Sequence, residues 1–196
     1  MSKTLGVIIA GGQSQRFRDK SGPDDKFLAP FGSTTLLGHI IDRAKKQIPD
    51  VMLNVNGDPD RVKAYGLDII PDSVADAGPL GGILAAMTSA KDRGYDHIIS
   101  FSSDCPFFPD DYIARLSEGG EGLAIACSAG RPHPVMGYWP TSLADDLRDY
   151  LDSGERRVMW WVRRHTHREV VWSEKNPDPF FNINVRQDLT EAEKFL

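Results

Sequence analysis

A run of small and basic residues, Ala10-Gly11-Gly12-Gln13-Ser14-Gln15-Arg16, is followed after a polar stretch by Asp25-Lys26. Glycines let a backbone approach a triphosphate and offer it N–H donors, and Arg16 and Lys26 are suited to neutralise the charge that builds on departing pyrophosphate. The run matches neither G-x-x-x-x-G-K-[ST] nor G-x-G-x-x-G, which counts against a P-loop hydrolase and a dinucleotide oxidoreductase. Taken bare, it is as readily a tight turn; its meaning comes from the apolar residues before it. The second motif is Ser102-Ser103-Asp104-Cys105-Pro106. Magnesium prefers hard oxygen ligands and takes one or two protein carboxylates beside substrate phosphates, so Asp104 is the candidate metal ligand. Its competing role is a turn or cap, for which Asp110 is better placed before the next helix. Cys105 reads as a small buried hydrophobe, since phosphoryl transfer to an acceptor phosphate requires no thiol.

Asn54, Asp72 and Gly78-Pro79-Leu80-Gly81-Gly82 supply amide, carboxylate and close-approach backbone that suit a base and a ribose. Each alone is more often a turn residue; joint placement at one sheet edge would change that. Near the end of the chain, Phe181-Asn182-Ile183-Asn184 is expected to put Asn182 and Asn184 on one face of a short strand, with Asn184 a second oxygen ligand to the metal. In Gly154-Glu155-Arg156-Arg157-Val158, Arg156 and Arg157 are candidates to face the phosphate of an acceptor. Arg131-Pro132-His133-Pro134 is a stiff basic loop, and Trp160, Trp161 and Trp172 read as packing residues before they read as a platform for a planar ring.

Elements must bring these residues together. Residues 5–10 are a continuous apolar run ending at the glycines, the pattern of a buried strand, and 51–55, 67–70 and 97–101 read the same way. Helical spacing holds over 36–48, with Ser33 or Thr34 as N-cap, and a second helix is expected over about 82–91. The alternation implies parallel strands, helices on both faces and ligands beyond the carboxyl ends of the strands. Beyond residue 120 the expected order is strand (123–127), strand (135–139), helix (142–151), helix (156–164), strand (169–172) and a final helix near Thr190. The expectation is one domain over 1–196, with a nucleotide-binding half to about 115 and an acceptor-binding half from about 116.

With 40% hydrophobic and 26% charged residues, the composition is that of a globular protein, and no apolar run nears the roughly 20 residues of a membrane span. The N-terminus lacks the longer apolar region of a secretion signal, and Cys105 and Cys127 form no C-x-x-C pair, so a reducing cytoplasm is expected. A net charge of -5 gives no general attraction to nucleic acid.

Together these residues resemble the molybdenum cofactor guanylyltransferases, nucleotidyltransferases with a Rossmann-like sheet. The resemblance rests on I-A-G-G-Q-S-Q-R with Lys26, Asn54-Val55-Asn56, I-I-P-D-S with Asp72, G-P-L-G-G, D-C-P, G-E-R-R-V and F-N-I-N-V, the last two nearest to the guanylyltransferase branch. It implies a three-layer α/β fold with a mostly parallel sheet. By position, Ile9, Ala10, Gly11 and Gly12 would contact GTP through backbone, and Arg16 and Lys26 would hold its phosphates. Asn54, Asp72 and the Gly78-Pro79-Leu80 segment would contact the nucleoside, and Asp104 would bind Mg2+. The loop between Arg16 and Lys26 is longer and less glycine-rich than the family pattern, which leaves Lys20 as an alternative to Lys26. The activity implied is transfer of GMP from GTP to the phosphate of Mo-molybdopterin, with transient contact to molybdoenzymes or their chaperones by a monomer or weak oligomer. A cytidylyltransferase and a non-catalytic cofactor-binding chaperone are the rivals.

Overall fold

The computed structural model describes residues 3–10 and 25–196. In chain order, β1 (Thr4–Ile9) is followed by a two-stranded ribbon, β2 (Pro30–Phe31) and β3 (Thr34–Thr35), then α1 (Leu36–Lys45), β4 (Val51–Asn54), β5 (Asp68–Ile70), α2 (Pro79–Asp92) and β6 (His97–Ser102). The later elements are α3 (Tyr112–Ser117), β7 (Leu123–Ser128), β8 (Arg131–Pro140), α4 (Ala144–Asp152), α5 (Val158–Val162), β9 (His167–Trp172) and α6 (Arg186–Glu193). Seven strands form one sheet in the order β5-β4-β1-β6-β8-β7-β9. β8 alone runs against its neighbours, pairing antiparallel with β6 and β7, while the other four pairings are parallel.

The strand period of two builds three layers from this sheet. In β1, Leu5, Val7 and Ile9 join a core with α2, α4 and α5, whereas Ile8 joins the opposite core with α1, α3 and α6. The strands are therefore apolar on both faces, as parallel strands between helix layers must be. Among the described residues no helix is long and apolar enough to cross a membrane.

Several boundaries differ from those expected, each for a local reason. Ser33 and Thr34 do not cap α1: Thr34 is used in β3, and the Thr35 side chain accepts from the Gly38 N–H at 3.0 Å. α2 starts at Pro79, ahead of the expected 82, because proline has its φ preset and no N–H to satisfy in a first turn. Gly81 and Gly82 thus lie inside the helix. Asp110 caps nothing; it pairs with Arg43, and Asp111 stands at the start of α3 with its carboxylate accepting from Trp172 Nε1. The expected helix over 156–164 shrinks to α5, since Gly154 turns the chain at φ 88° and Arg156 bonds to nearby carbonyls. No strand runs through Asn182 and Asn184. The Ile183 N–H donates to the Asp104 carbonyl at 2.9 Å, tying an irregular segment to the end of β6.

Candidate active site

Beyond the carboxyl ends of β1, β4, β5 and β6 lies a cleft of about 650 Å³. Ile9 and Ala10 reach it from β1, Asn54 and Asn56 from β4, Asp72 and Asp76 from the segment after β5, and Ser102, Ser103 and Asp104 from β6. Lys26, Phe27, Gly78, Pro79, Val135 and Asn182 complete its described walls. The sheet thus gathers Ile9, Ala10, Lys26, Asn54, Asp72, Gly78, Pro79 and Asp104 at one edge, as expected. Gly11, Gly12, Arg16 and Lys20 lie outside the described residues.

At one end, the Ser102 hydroxyl donates to Asp104 Oδ1 at 2.5 Å, and Lys26 Nζ donates to Asp104 Oδ2 at 2.9 Å and to the Ile183 carbonyl at 2.7 Å. The lysine and aspartate side chains are only 13% and 18% exposed, so the pair is kept because each charge has a partner of opposite sign and further hydrogen bonds. Cys105 Sγ donates weakly to Asp104 Oδ1 at 3.7 Å. Burial first, and the Asp104 charge second, push this thiol well above its ordinary range, so it stays neutral and serves as packing.

At the other end, three side chains brace each other. Asn54 is fully buried and donates to the Ile70 carbonyl at 3.2 Å and to Asp72 Oδ1 at 2.9 Å. Asn56 donates to Asp72 Oδ2 at 2.8 Å and accepts from the Asp72 N–H at 2.9 Å. Arg61 bonds to the Asn56 carbonyl and pairs with Asp25, so one guanidinium links this brace to the segment that carries Lys26. Among the described residues the amide oxygen of Asn54 has no hydrogen-bond partner, and α2 comes so close that a Cβ on Gly82 would lie 2.1 Å from it.

Other expected residues are placed elsewhere. The Leu80 side chain is buried in the core beneath the helix start, so only its backbone faces the site's end of α2. Asn182 lines the cleft but Asn184 does not: its side chain donates to the Asn182 carbonyl at 3.3 Å and its N–H to Asp188. A role for Asn184 as a metal ligand is therefore not supported by its position. Arg156 spends its guanidinium on the carbonyls of Asp76, Leu151 and Glu155, while Arg157 pairs with Glu155 and lies over the Trp160 ring at 3.0 Å. Neither arginine lines the cleft. Trp161 and Trp172 are buried, whereas Trp160 is 53% exposed. Sequence reasoning gave no role to Asn56, Asp76 or Ser102; Asn56 had a readable signal in the N-V-N step at the end of β4.

Asp104 offers hard carboxylate oxygen at the open end of a cleft, which suits a divalent cation. Among the described residues no group of three or more His, Cys, Asp or Glu is placed to hold one, so a cation here would draw its remaining ligands from substrate phosphate and water.

Residues 6–169 match the MobA-like NTP transferase domain. The chain belongs to that family. Within it, the chain is 41% identical over 96% of its length to a molybdenum cofactor guanylyltransferase from Bradyrhizobium sp. (strain ORS 278), of which the match covers 91%. Solved structures share the fold: the molybdopterin-guanine dinucleotide biosynthesis protein A of Archaeoglobus fulgidus superposes with a TM-score of 0.74 at 22% identity, covering 97% of each chain. A Mycobacterium tuberculosis chain solved in complex with manganese superposes with a TM-score of 0.72 at 20% identity, covering 100% of each. The MobA-like family thus accounts for the Rossmann-like sheet and for the strand ends from which the cleft is built.

Proposed function

We propose that the chain is a molybdenum cofactor guanylyltransferase: it transfers GMP from GTP to the phosphate of Mo-molybdopterin and releases pyrophosphate. The observation that carries the reading is the pairing of Lys26 with Asp104 at one end of a cleft whose other end is the Asn54-Asp72-Asn56 brace. A phosphate-handling pole and a nucleoside-handling pole are thereby held on one sheet edge. The near full-length likeness to a named guanylyltransferase supports the same activity.

An oxygen of the acceptor phosphate attacks the α-phosphorus of GTP in line; the new P–O bond forms as the bond to the β-phosphate oxygen breaks. The acceptor is already ionised near neutral pH, so no protein nucleophile or base is needed, and positioning with charge neutralisation carries the catalysis. Asp104 would hold Mg2+, which would supply neutralisation of phosphate charge at the reacting centre. Lys26, whose ammonium stands at the same end of the cleft on Asp104 and the Ile183 carbonyl, would hold the phosphates. Asn54 and Asp72 orient the nucleoside, with Ile9, Ala10, Gly78 and Pro79 supplying close backbone. Asn182, held beside Asp104 by the Ile183 bond, faces the acceptor. Residues 1–196 act as one domain, a cytoplasmic monomer or weak oligomer that hands its product to molybdoenzymes or their chaperones.

Calorimetric titration of GTP, CTP and ATP with Mg2+ into the wild type and Asp104→Ala tests this. Selective GTP binding that loses its Mg2+ dependence in the variant is expected. Preference for CTP would transfer the activity to cytidylyl chemistry, and binding of no nucleotide would remove the enzyme class.

A further inference from the structure

The three carboxylates of the cleft are unequally occupied. Asp104 takes Ser102 and Lys26, and Asp72 takes Asn54 and Asn56, one on each oxygen. Asp76 lines the same cleft, and among the described residues its carboxylate has no hydrogen-bond or ion-pair partner. Its backbone, by contrast, is held in place. Asp76 sits at φ 54°, a left-handed conformation that most non-glycine residues avoid and that aspartate and asparagine adopt more readily than the rest. The Arg156 Nε–H braces the turn by donating to the Asp76 carbonyl at 3.2 Å, while Arg156 Nη1 is anchored on the Leu151 and Glu155 carbonyls at 2.6 and 2.7 Å. Gly78, at φ 58°, then turns the chain into α2. A cross-braced turn ending in an unused carboxylate on a binding wall has the form of a recognition element.

Its place along the cleft says what it would recognise. Asp104 follows β6 and Asp76 follows β5, three strand positions apart in the sheet, or about 14 Å at the usual strand spacing. With the triphosphate at the Asp104 end, the β5 end receives the base. An ionised carboxylate only accepts hydrogen bonds. Guanine presents two adjacent donors, N1–H and the N2 amine, that a carboxylate can take side by side. Cytosine and adenine each place a bare ring-nitrogen acceptor next to their single amine, which the carboxylate repels.

We infer that Asp76 is the residue that selects guanine, its carboxylate accepting from N1–H and the N2 amine of GTP. The assignment rests on the guanylyl-transfer reading and adds the group that distinguishes GTP from CTP and ATP, with Arg156 as the residue that positions it.

The test is Asp76→Asn in the full chain, titrated calorimetrically with GTP, CTP and xanthosine triphosphate in the presence of Mg2+. Asparagine tolerates positive φ, so the turn survives the change. Xanthine replaces the guanine amine with a carbonyl, which the new amide can pair with. A loss of about 100-fold in GTP affinity with xanthosine triphosphate becoming the preferred ligand is expected. Unchanged GTP affinity in the variant, or an equal loss for all three nucleotides, overturns the assignment while a GTP-selective wild type keeps the guanylyl-transfer reading intact. A wild type that does not bind GTP overturns both.

Discussion

At the scale of single residues, the ionisable groups outside the cleft carry a pH dependence whose sign is fixed. Ser128 donates to Asp178 Oδ1 at 2.8 Å, so its oxygen accepts from His133 Nε2 at 2.7 Å, and a neutral imidazole satisfies the bond. Although serine, histidine and aspartate meet here, the serine stands between the other two and is buried, so the cluster is a tie across the β7–β8 turn and no nucleophile. Burial lowers the His133 pKa against the opposing pull of Asp178, with Arg131 adding to the lowering. His39 is lowered in the same way by burial, helped by Arg43 and Lys46 and opposed by the Pro106 carbonyl and Asp42. A group whose folded pKa lies below its unfolded value binds more protons when unfolded, so stability rises with pH across that window. The contribution is complete above the unfolded histidine value near 6.5 and declines as pH falls through it toward the folded values. Both side chains are only partly buried, so screening limits the pair to less than about 1 kcal/mol, a fall of at most about 4 °C in melting temperature. Melting curves between pH 7.5 and 5.5 for the wild type and for His39→Gln with His133→Gln measure it. Equal slopes in the two proteins would remove these histidines from the account.

At the scale of elements, the approach of α2 to the end of β4 is the contact that fixes the Asn54 end of the cleft. Gly82 is required there for space: a Cβ would meet Asn54 Oδ1 at 2.1 Å, Asn54 Cγ at 2.6 Å and Asn54 Nδ2 at 3.0 Å. Asn54 is held against that approach, since it is fully buried and bonded to Ile70 and Asp72. Gly82→Ala is therefore expected to cost about 1–3 kcal/mol through overpacking, despite alanine's better helix propensity. GTP affinity should fall roughly 10-fold as Asn54 is displaced, an effect worth about 1.4 kcal/mol. Chemical denaturation and GTP titration of the variant read the two terms separately; an unperturbed affinity would mean that Asn54 does not orient the nucleoside. Such contacts also mark how far the sequence could be read. The buried strands announce themselves as apolar runs, because parallel strands between helix layers have no polar face to break the run. The glycine pair at 81–82 was legible as a place of close approach, but the helix start at Pro79 and the partner Asn54 are tertiary facts. Asp76 was not legible at all, since the brace on its carbonyl comes from Arg156, eighty positions later in the chain, and leaves no local pattern. Near the end of the chain, F-N-I-N resembles an alternating strand, but the bond from Ile183 to Asp104 ties it down as irregular backbone.

At the scale of the molecule, the cleft is assembled from segments far apart in sequence: Lys26 before α1, Asn54 at the end of β4, Asp72 after β5, Asp104 after β6, and Asn182 from the last part of the chain. The unfolded chain brings none of these together, so nucleotide and metal bind the folded state alone and must stabilise it by mass action. The Lys26–Asp104 pair makes that linkage conditional. Under the proposed function, GTP without a cation would meet Asp104 paired with Lys26, whereas with a divalent cation held by Asp104 the ammonium would be available to phosphate. At 100 times its dissociation constant, GTP with Mg2+ contributes about 2.7 kcal/mol. For a chain of 196 residues that corresponds to a rise of roughly 5–10 °C in melting temperature. Thermal melts with GTP and Mg2+, with GTP and a chelator, and with Mg2+ alone should show the full rise only in the first case. In Lys26→Met the rise should shrink, because one positive charge is lost from the phosphate end, while Asp104 becomes free to take the cation without competition. A full rise in the presence of chelator would mean that the cleft reads GTP without a metal and that Asp104 serves only to hold Lys26.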